Sequence, residues 1–196
     1  MRAITTPWKL GIAFTAITLS GAQAHTEVAG RSVGWSDLLI HPFTGSDHLA
    51  LVLAIGIWAA WQGQRVGHRS LALFVGATVM GTAPGAITSP SAAIETGLTL
   101  SLVLLGVMLV RPTKPGFPAT LLVIPPALLQ GQIHGSHQMY QSLSLPGLGA
   151  VLLGTVAALS LSFGVGVVTR EGRMRTLIRG CGAALALASG WALFAT

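Results

Sequence analysis

The sequence predicts an all-α integral membrane protein with six transmembrane helices that follow a cleaved N-terminal signal peptide. Of its 196 residues, 52% are hydrophobic and only 8% are charged, whereas a soluble domain carries about 25% charged residues. The mean hydropathy is +0.71, and six apolar stretches each approach the length of about 20 residues that a bilayer crossing requires. The single cysteine excludes a disulfide framework and a cysteine-rich metal site.

The first 24 residues have the pattern of a secretory signal peptide. A basic start is followed by the apolar residues 10–19 and by Ala22-Gln23-Ala24, which places small side chains at both positions that a signal peptidase reads. An apolar run of this length is short for a crossing. We therefore expect cleavage after Ala24, which would leave residues 25–196 as one transmembrane domain beginning at His25. An uncleaved first helix is the alternative.

The rest of the chain divides into apolar stretches that are rich in Leu, Ala, Val and Gly and lack the alternation typical of strands. The first stretch is overlong and contains Pro42 and Gly45, which predicts either a break in it or a tilted entry segment. Pro125 and Pro126 predict that the fourth is kinked or that its regular part ends there. The expected spans cover approximately residues 33–61, 70–89, 92–110, 117–134, 147–168 and 176–195.

The positive charges predict the orientation of these spans. After signal cleavage, eight of the nine Lys and Arg residues fall in or beside the first, third and fifth linkers, and only Arg31 falls elsewhere. By the positive-inside rule, we expect the linkers at 62–69, 111–116 and 169–175 to face the cytoplasm. Both termini would then lie in the periplasm of a bacterial inner membrane. The pI near 11.2 reflects the positive charges that determine the orientation of the spans. No nucleic-acid partner is expected, because the sequence has no basic helix and no platform of aromatic residues.

Small and aromatic residues predict packing features. Gly81 and Gly85, and likewise Gly131 and Gly135, are spaced for helix faces that approach closely. Trp35 is expected near one membrane interface, and Trp58 and Trp61 are expected to anchor the other.

The first candidate metal site is the segment His41-Pro42-Phe43-Thr44-Gly45-Ser46-Asp47-His48. An ionisable group in a span is costly and is a functional candidate by default. On a regular helix His41 and His48 share a face while Asp47 points elsewhere, but Pro42 and Gly45 could turn Asp47 inward, as in broken transporter helices. Two imidazoles and a carboxylate suit a borderline divalent metal such as nickel, cobalt or zinc. The alternative is a polar helix start that Ser46 and Asp47 cap.

Three further candidates lie at the outer ends of other spans, where they could join the same site. His134 and His137 are three residues apart and can reach one ion from a helix, or they are simply hydrated at the interface. Glu95 opens the third span, either as a ligand or as a carboxylate at the positive end of a helix dipole. After cleavage, His25 would pair its free α-amine with its imidazole, although a residue in that position is also nearly unconstrained.

The first segment resembles the signature of the HupE/UreJ family of nickel and cobalt permeases. That signature reads H-P-x-x-G-x-D-H and is followed by an apolar stretch ending in G-x-W-A-A, as in residues 56–60 here. The resemblance implies six helices, a signal peptide ending before a histidine, a functional glutamate at Glu95 and a phenylalanine at Phe74. The second signature departs from the family's F-H-G-x-A-H-G-x-E, because Gln130 stands at its first histidine and His137 at its closing glutamate.

The function expected from this resemblance is an inner-membrane permease that moves Ni²⁺ or Co²⁺ from periplasm to cytoplasm. The metal would be bound by His41, Asp47, His48, Glu95, His134 and His137 after capture at His25. The ion is cargo, no resident cofactor is expected, and the protein is not expected to be an enzyme. Two alternatives are an intramembrane metal-dependent hydrolase with Glu95 as its base, and an accessory protein that hands metal to a hydrogenase or urease maturation system. The sequence leaves homo-oligomerisation open.

Overall fold

The computed structural model describes residues 34–88, 91–111, 115–136 and 145–195, and within these ranges every regular element is an α-helix. Helices lie over all six of the predicted apolar stretches. The predicted signal peptide falls outside the described residues. The helices are α1 (Trp35–Thr44), α2 (Ser46–Trp61), α3 (Gln64–Gly85), α4 (Ala92–Val110), α5 (Phe117–Leu121), α6 (Ile124–Gly135), α7 (Leu145–Val168) and α8 (Gly172–Ala195).

Three of the described helices are long and apolar enough to cross a membrane alone, namely α4, α7 and α8. A fourth span results if α1 and α2, which meet at 68°, count as one broken segment. The helix α3 starts at Gln64, earlier than the predicted stretch, because helical hydrogen bonding continues through Arg65 and Arg69. The described part is thus all-helical with three to four candidate spans.

The fourth predicted stretch is divided in two, and the break lies just before the predicted proline kink. The helix α5 ends at Leu121, and α6 begins at Ile124 with Pro125 and Pro126 in its first turn. Proline is tolerated there because the first turn of a helix has no intrahelical acceptors for its N–H groups.

The apolar core surrounds α2, which packs against α1, α3, α4 and α7. A helix that is hydrophobic on all sides belongs in a core, and almost every side chain from Ala50 to Trp61 is buried. Trp58 is fully buried and Trp61 is 9% exposed. The prediction that these two tryptophans anchor a lipid interface is therefore wrong. Trp35 is 52% exposed, as an interface residue would be.

The two predicted glycine faces pack against each other and join α3 to α6. A Cβ atom on Gly131 would overlap the carbonyl oxygen of Thr78, and one on Gly135 would overlap that of Thr82. The contacts are reciprocal, because a Cβ on Gly81 would meet the carbonyl of Leu128. Only glycine allows this backbone approach, which fixes the position of α6 relative to α3.

Two arginines of α8 lie against the ends of α2 and α4 at one end of the bundle, which we call the cation end. The guanidinium of Arg175 in α8 lies 5.4 Å from the centre of the Trp61 ring at the end of α2. Arg179 donates a hydrogen bond of 3.0 Å from Nε to the carbonyl of Val110 at the end of α4. His48 lies near the start of α2, about 20 Å from Trp61 at 1.5 Å per residue. We call the end that contains His48 the histidine end.

Candidate metal centre

Three histidines from three helices meet at the histidine end. His41 lies in the last turn of α1, His48 in the first turn of α2 and His134 in the last turn of α6. One ring nitrogen of each lies within 4.8 Å of the corresponding nitrogens of the other two. The ring centroids are 5.1 Å apart for His41 and His48, 5.5 Å for His41 and His134, and 4.7 Å for His48 and His134. We refer to this group as the histidine triad.

The triad is nearly the right size for one ion. Imidazole nitrogens bind a divalent transition metal at about 2.1 Å, so two ligands of one ion are at most about 4.2 Å apart. The observed limit of 4.8 Å exceeds this by a few tenths of an ångström, which small side-chain rotations would remove. His48 and His134 are each only 2% exposed, and His41 is half-buried. Imidazole is a ligand that suits zinc, nickel, copper and iron.

The break between α1 and α2 brings His41 and His48 together. On a continuous helix, residues seven apart are separated by about 10.5 Å along the axis, whereas these ring centroids are 5.1 Å apart. Gly45 has the extended conformation φ −79°, ψ 117°, which ends α1 and allows α2 to start at the next residue. Pro42 is buried within α1, where it weakens the helix before the break because it lacks an N–H. The predicted break therefore shapes the site.

A backbone contact sets the orientation of His134. Its Nδ1 lies 2.9 Å from the carbonyl oxygen of Gln130, one turn earlier in α6. A carbonyl can only accept, so Nδ1 carries the hydrogen and, in the neutral ring, Nε2 carries the lone pair that a metal needs. Metal-binding histidines are commonly oriented by such a bond from their other nitrogen. The neighbouring Gly131 and Gly135 hold this turn of α6 against α3.

Beside the triad is a narrow crevice lined by His48, Asp47, Leu51, Leu98 and Gln130. Asp47 is half-buried, and the hydroxyl of Ser46 donates a hydrogen bond of 3.3 Å to its Oδ1. Asp47 thus faces the crevice beside His48 but is not one of the three residues whose ligand atoms converge. It is placed to supply an oxygen ligand next to the imidazoles.

The remaining sequence candidates are not part of the triad. Glu95 is exposed in the first turn of α4, one turn before Leu98, which lines the crevice. His25 and His137 lie outside the described residues. Sequence reasoning did not select Gln130 as a site residue, although its position one turn before His134 in an apolar helix was a usable signal.

The sequence of this chain matches a known protein family over most of its length. The family model described as "HupE / UreJ protein" matches residues 12–193. The chain belongs to the HupE/UreJ family. The histidine triad and Asp47 all lie within the matched region, and the resemblance drawn from the sequence motifs is thereby confirmed.

Among curated relatives, the chain is similar to Protein HupE of Rhizobium leguminosarum bv. viciae. The two are 27% identical over 170 residues, which cover 84% of this chain and 87% of the relative. No solved structure matches this HupE/UreJ chain.

Proposed function

We propose that this HupE/UreJ protein is a bacterial inner-membrane permease that moves Ni²⁺ or Co²⁺ from the periplasm to the cytoplasm. The observation that carries the proposal is the histidine triad. Three imidazoles with converging nitrogens, two of them nearly inaccessible to solvent, form a donor set for a borderline divalent metal. Membership of the family, whose resemblance implied nickel and cobalt transport, supports the same cargo.

The proposed topology has six crossings, with the histidine end outside and the cation end in the cytoplasm. The α1–α2 pair would form the first crossing, and α3 and the α5–α6 pair would form the second and fourth, beside α4, α7 and α8. This assignment draws support from the arginines near the ends of α2 and α4, which meet at one end of the bundle, as the positive-inside rule requires. It leaves both termini of the mature chain in the periplasm.

In the proposed path, an ion enters at the histidine end and loses part of its hydration at the triad. Asp47 offers negative charge beside it, while Glu95 and His137 act as approach or relay ligands and His25 captures the ion. Leu51, which lines the crevice, and the large side chains of Ile55 and Trp58 further along α2 are fully buried. Movement to the cytoplasm therefore requires a conformational change that opens this apolar segment of α2.

Uptake of radioactive nickel or cobalt into liposomes containing the purified protein tests this function. His48→Ala should abolish uptake, because it removes one of three ligands. His68→Ala is a matched control. His68 is an exposed histidine of α3 whose Nδ1 also contacts a carbonyl one turn earlier, that of Gln64 at 2.7 Å, but it lies near the cation end. Binding without uptake by the wild type would favour an accessory protein, and equal uptake by wild type and His48→Ala would overturn the proposed site.

A further inference from the structure

Gln130 is a buried polar residue of α6 that lies one turn before His134. It is 1% exposed, and neither its Oε1 nor its Nε2 has a hydrogen-bond partner in the part of the chain that the structure describes. Leaving both ends of a buried carboxamide unsatisfied is costly, and buried polar groups in native proteins almost always have partners.

Several buried polar side chains of the described bundle are satisfied within their own helix, although the buried atoms Nε1 of Trp61 and Nε of Arg175 at the cation end also lack a hydrogen-bond partner among the described residues. The hydroxyls of Thr78, Ser101 and Thr155 each donate to the carbonyl one turn earlier in their own helix. Gln132, two residues along α6 and only partly buried, has its Nε2 3.4 Å from the hydroxyl oxygen of Thr88. Gln130 differs from these hydroxyl-bearing residues because both polar atoms of its carboxamide lack a hydrogen-bond partner among the described residues.

The side chain of Gln130 lines the crevice together with Asp47 and His48. Its backbone carbonyl also accepts the hydrogen bond from Nδ1 of His134, so one residue both orients a triad imidazole and presents a carboxamide beside another. A carboxamide oxygen is a neutral, hard donor of the kind that completes mixed nitrogen and oxygen coordination. Three imidazoles alone leave positions of an octahedral ion unfilled.

We propose that Oε1 of Gln130 is a ligand of the transported ion, beside Asp47 and His48. This inference rests on the proposed function. It adds to the proposed metal site a residue that sets the balance of nitrogen and oxygen donors. An oxygen from Gln130 makes the site less nitrogen-rich than a purely imidazole site. Gln130 thereby tunes which divalent ion the protein prefers.

The test is Co²⁺ binding to the full chain purified in detergent, followed by titration and by the visible absorption of bound Co²⁺, which depends on its ligands. Gln130→Leu should weaken binding at least tenfold and change the spectrum. Gln130→Glu should tighten binding, because it keeps an oxygen donor and adds negative charge. Gln132→Leu is the matched control and should bind as the wild type does. Circular dichroism and size-exclusion chromatography verify that each variant is folded.

The outcomes separate this inference from the proposed function. If the wild type binds Co²⁺, His48→Ala does not, and both Gln130 variants keep the wild-type affinity and spectrum, Gln130 is not a ligand while the triad stands. If the wild type binds neither Co²⁺ nor Ni²⁺, both the inference and the proposed function are overturned. If Gln130→Leu fails to fold, the result for Gln130→Glu decides whether Gln130 is a ligand. An unchanged Co²⁺ affinity and spectrum in Gln130→Glu would also refute a ligand at this position.

Discussion

The glycine contact between α3 and α6 should control both stability and ion binding, and Gly131→Ala tests it. A methyl group at residue 131 would overlap the carbonyl oxygen of Thr78 and lie 3.0 Å from the Cα of Gly81. Backbone atoms cannot rotate away, so the helices must separate. Overpacking of this kind costs about 1–3 kcal/mol, and the rigid neighbours favour the upper part of that range. Alanine in place of glycine returns about 1 kcal/mol of helix propensity.

The net expectation is a loss of roughly 1–2 kcal/mol in the free energy of unfolding, measured by thermal denaturation in detergent. Gly76→Ala is the matched control in α3, because a Cβ there meets nothing within 4 Å. It should be neutral or slightly stabilising. Equal stability of the two variants would refute the close-contact reasoning.

The same substitution should weaken metal binding, because Gly131 lies less than one turn from His134. The triad nitrogens are already at separations of up to 4.8 Å, beyond the limit of about 4.2 Å for ligands of one ion. Any outward movement of α6 widens that gap. We expect Ni²⁺ affinity to fall about tenfold in Gly131→Ala, which corresponds to about 1.4 kcal/mol, and to be unchanged in Gly76→Ala. Wild-type affinity in a destabilised Gly131→Ala would show that the triad does not depend on this contact.

Two further predictions concern topology and processing. In a Cys181→Ala background, a membrane-impermeant maleimide applied to spheroplasts should label Ala93→Cys, an exposed position near the histidine end, and should label exposed Gln64→Cys only after permeabilisation; the reverse pattern would invert the proposed orientation. N-terminal sequencing of the protein purified from membranes should begin at His25, whereas retention of Met1 would rule out the cleaved signal peptide.

Local features of the fold followed from the sequence. Pro42 and Gly45 predicted the break that brings His41 and His48 together, because proline and an extended glycine act on the backbone within one turn. The two glycine faces were visible for the same reason. The packing of these two faces against each other could not be predicted, because the residue spacing within one helix does not identify the helix against which it packs.

Tertiary position accounts for what sequence reasoning missed. Trp58 and Trp61 look like interface anchors by their place at the end of a span, but α2 is surrounded by other helices and both are buried. The positions of His48 and His134 near the outer ends of their spans predicted that they could join one site, but their contact depends on how α6 packs, which the sequence does not specify. Gln130 was noted in the sequence only as a departure from the second signature, because its burial and the crevice beside it are known only from the structure.

The most direct test of the central claim is the X-ray absorption spectrum of the purified full chain loaded with one equivalent of Ni²⁺. We predict three imidazole nitrogens at about 2.1 Å, recognisable by the outer-shell scattering of their rings, with oxygen ligands completing the coordination. His48→Ala should lose one imidazole from this shell. A nickel environment of oxygen donors without imidazole scattering would contradict a metal site built on His41, His48 and His134.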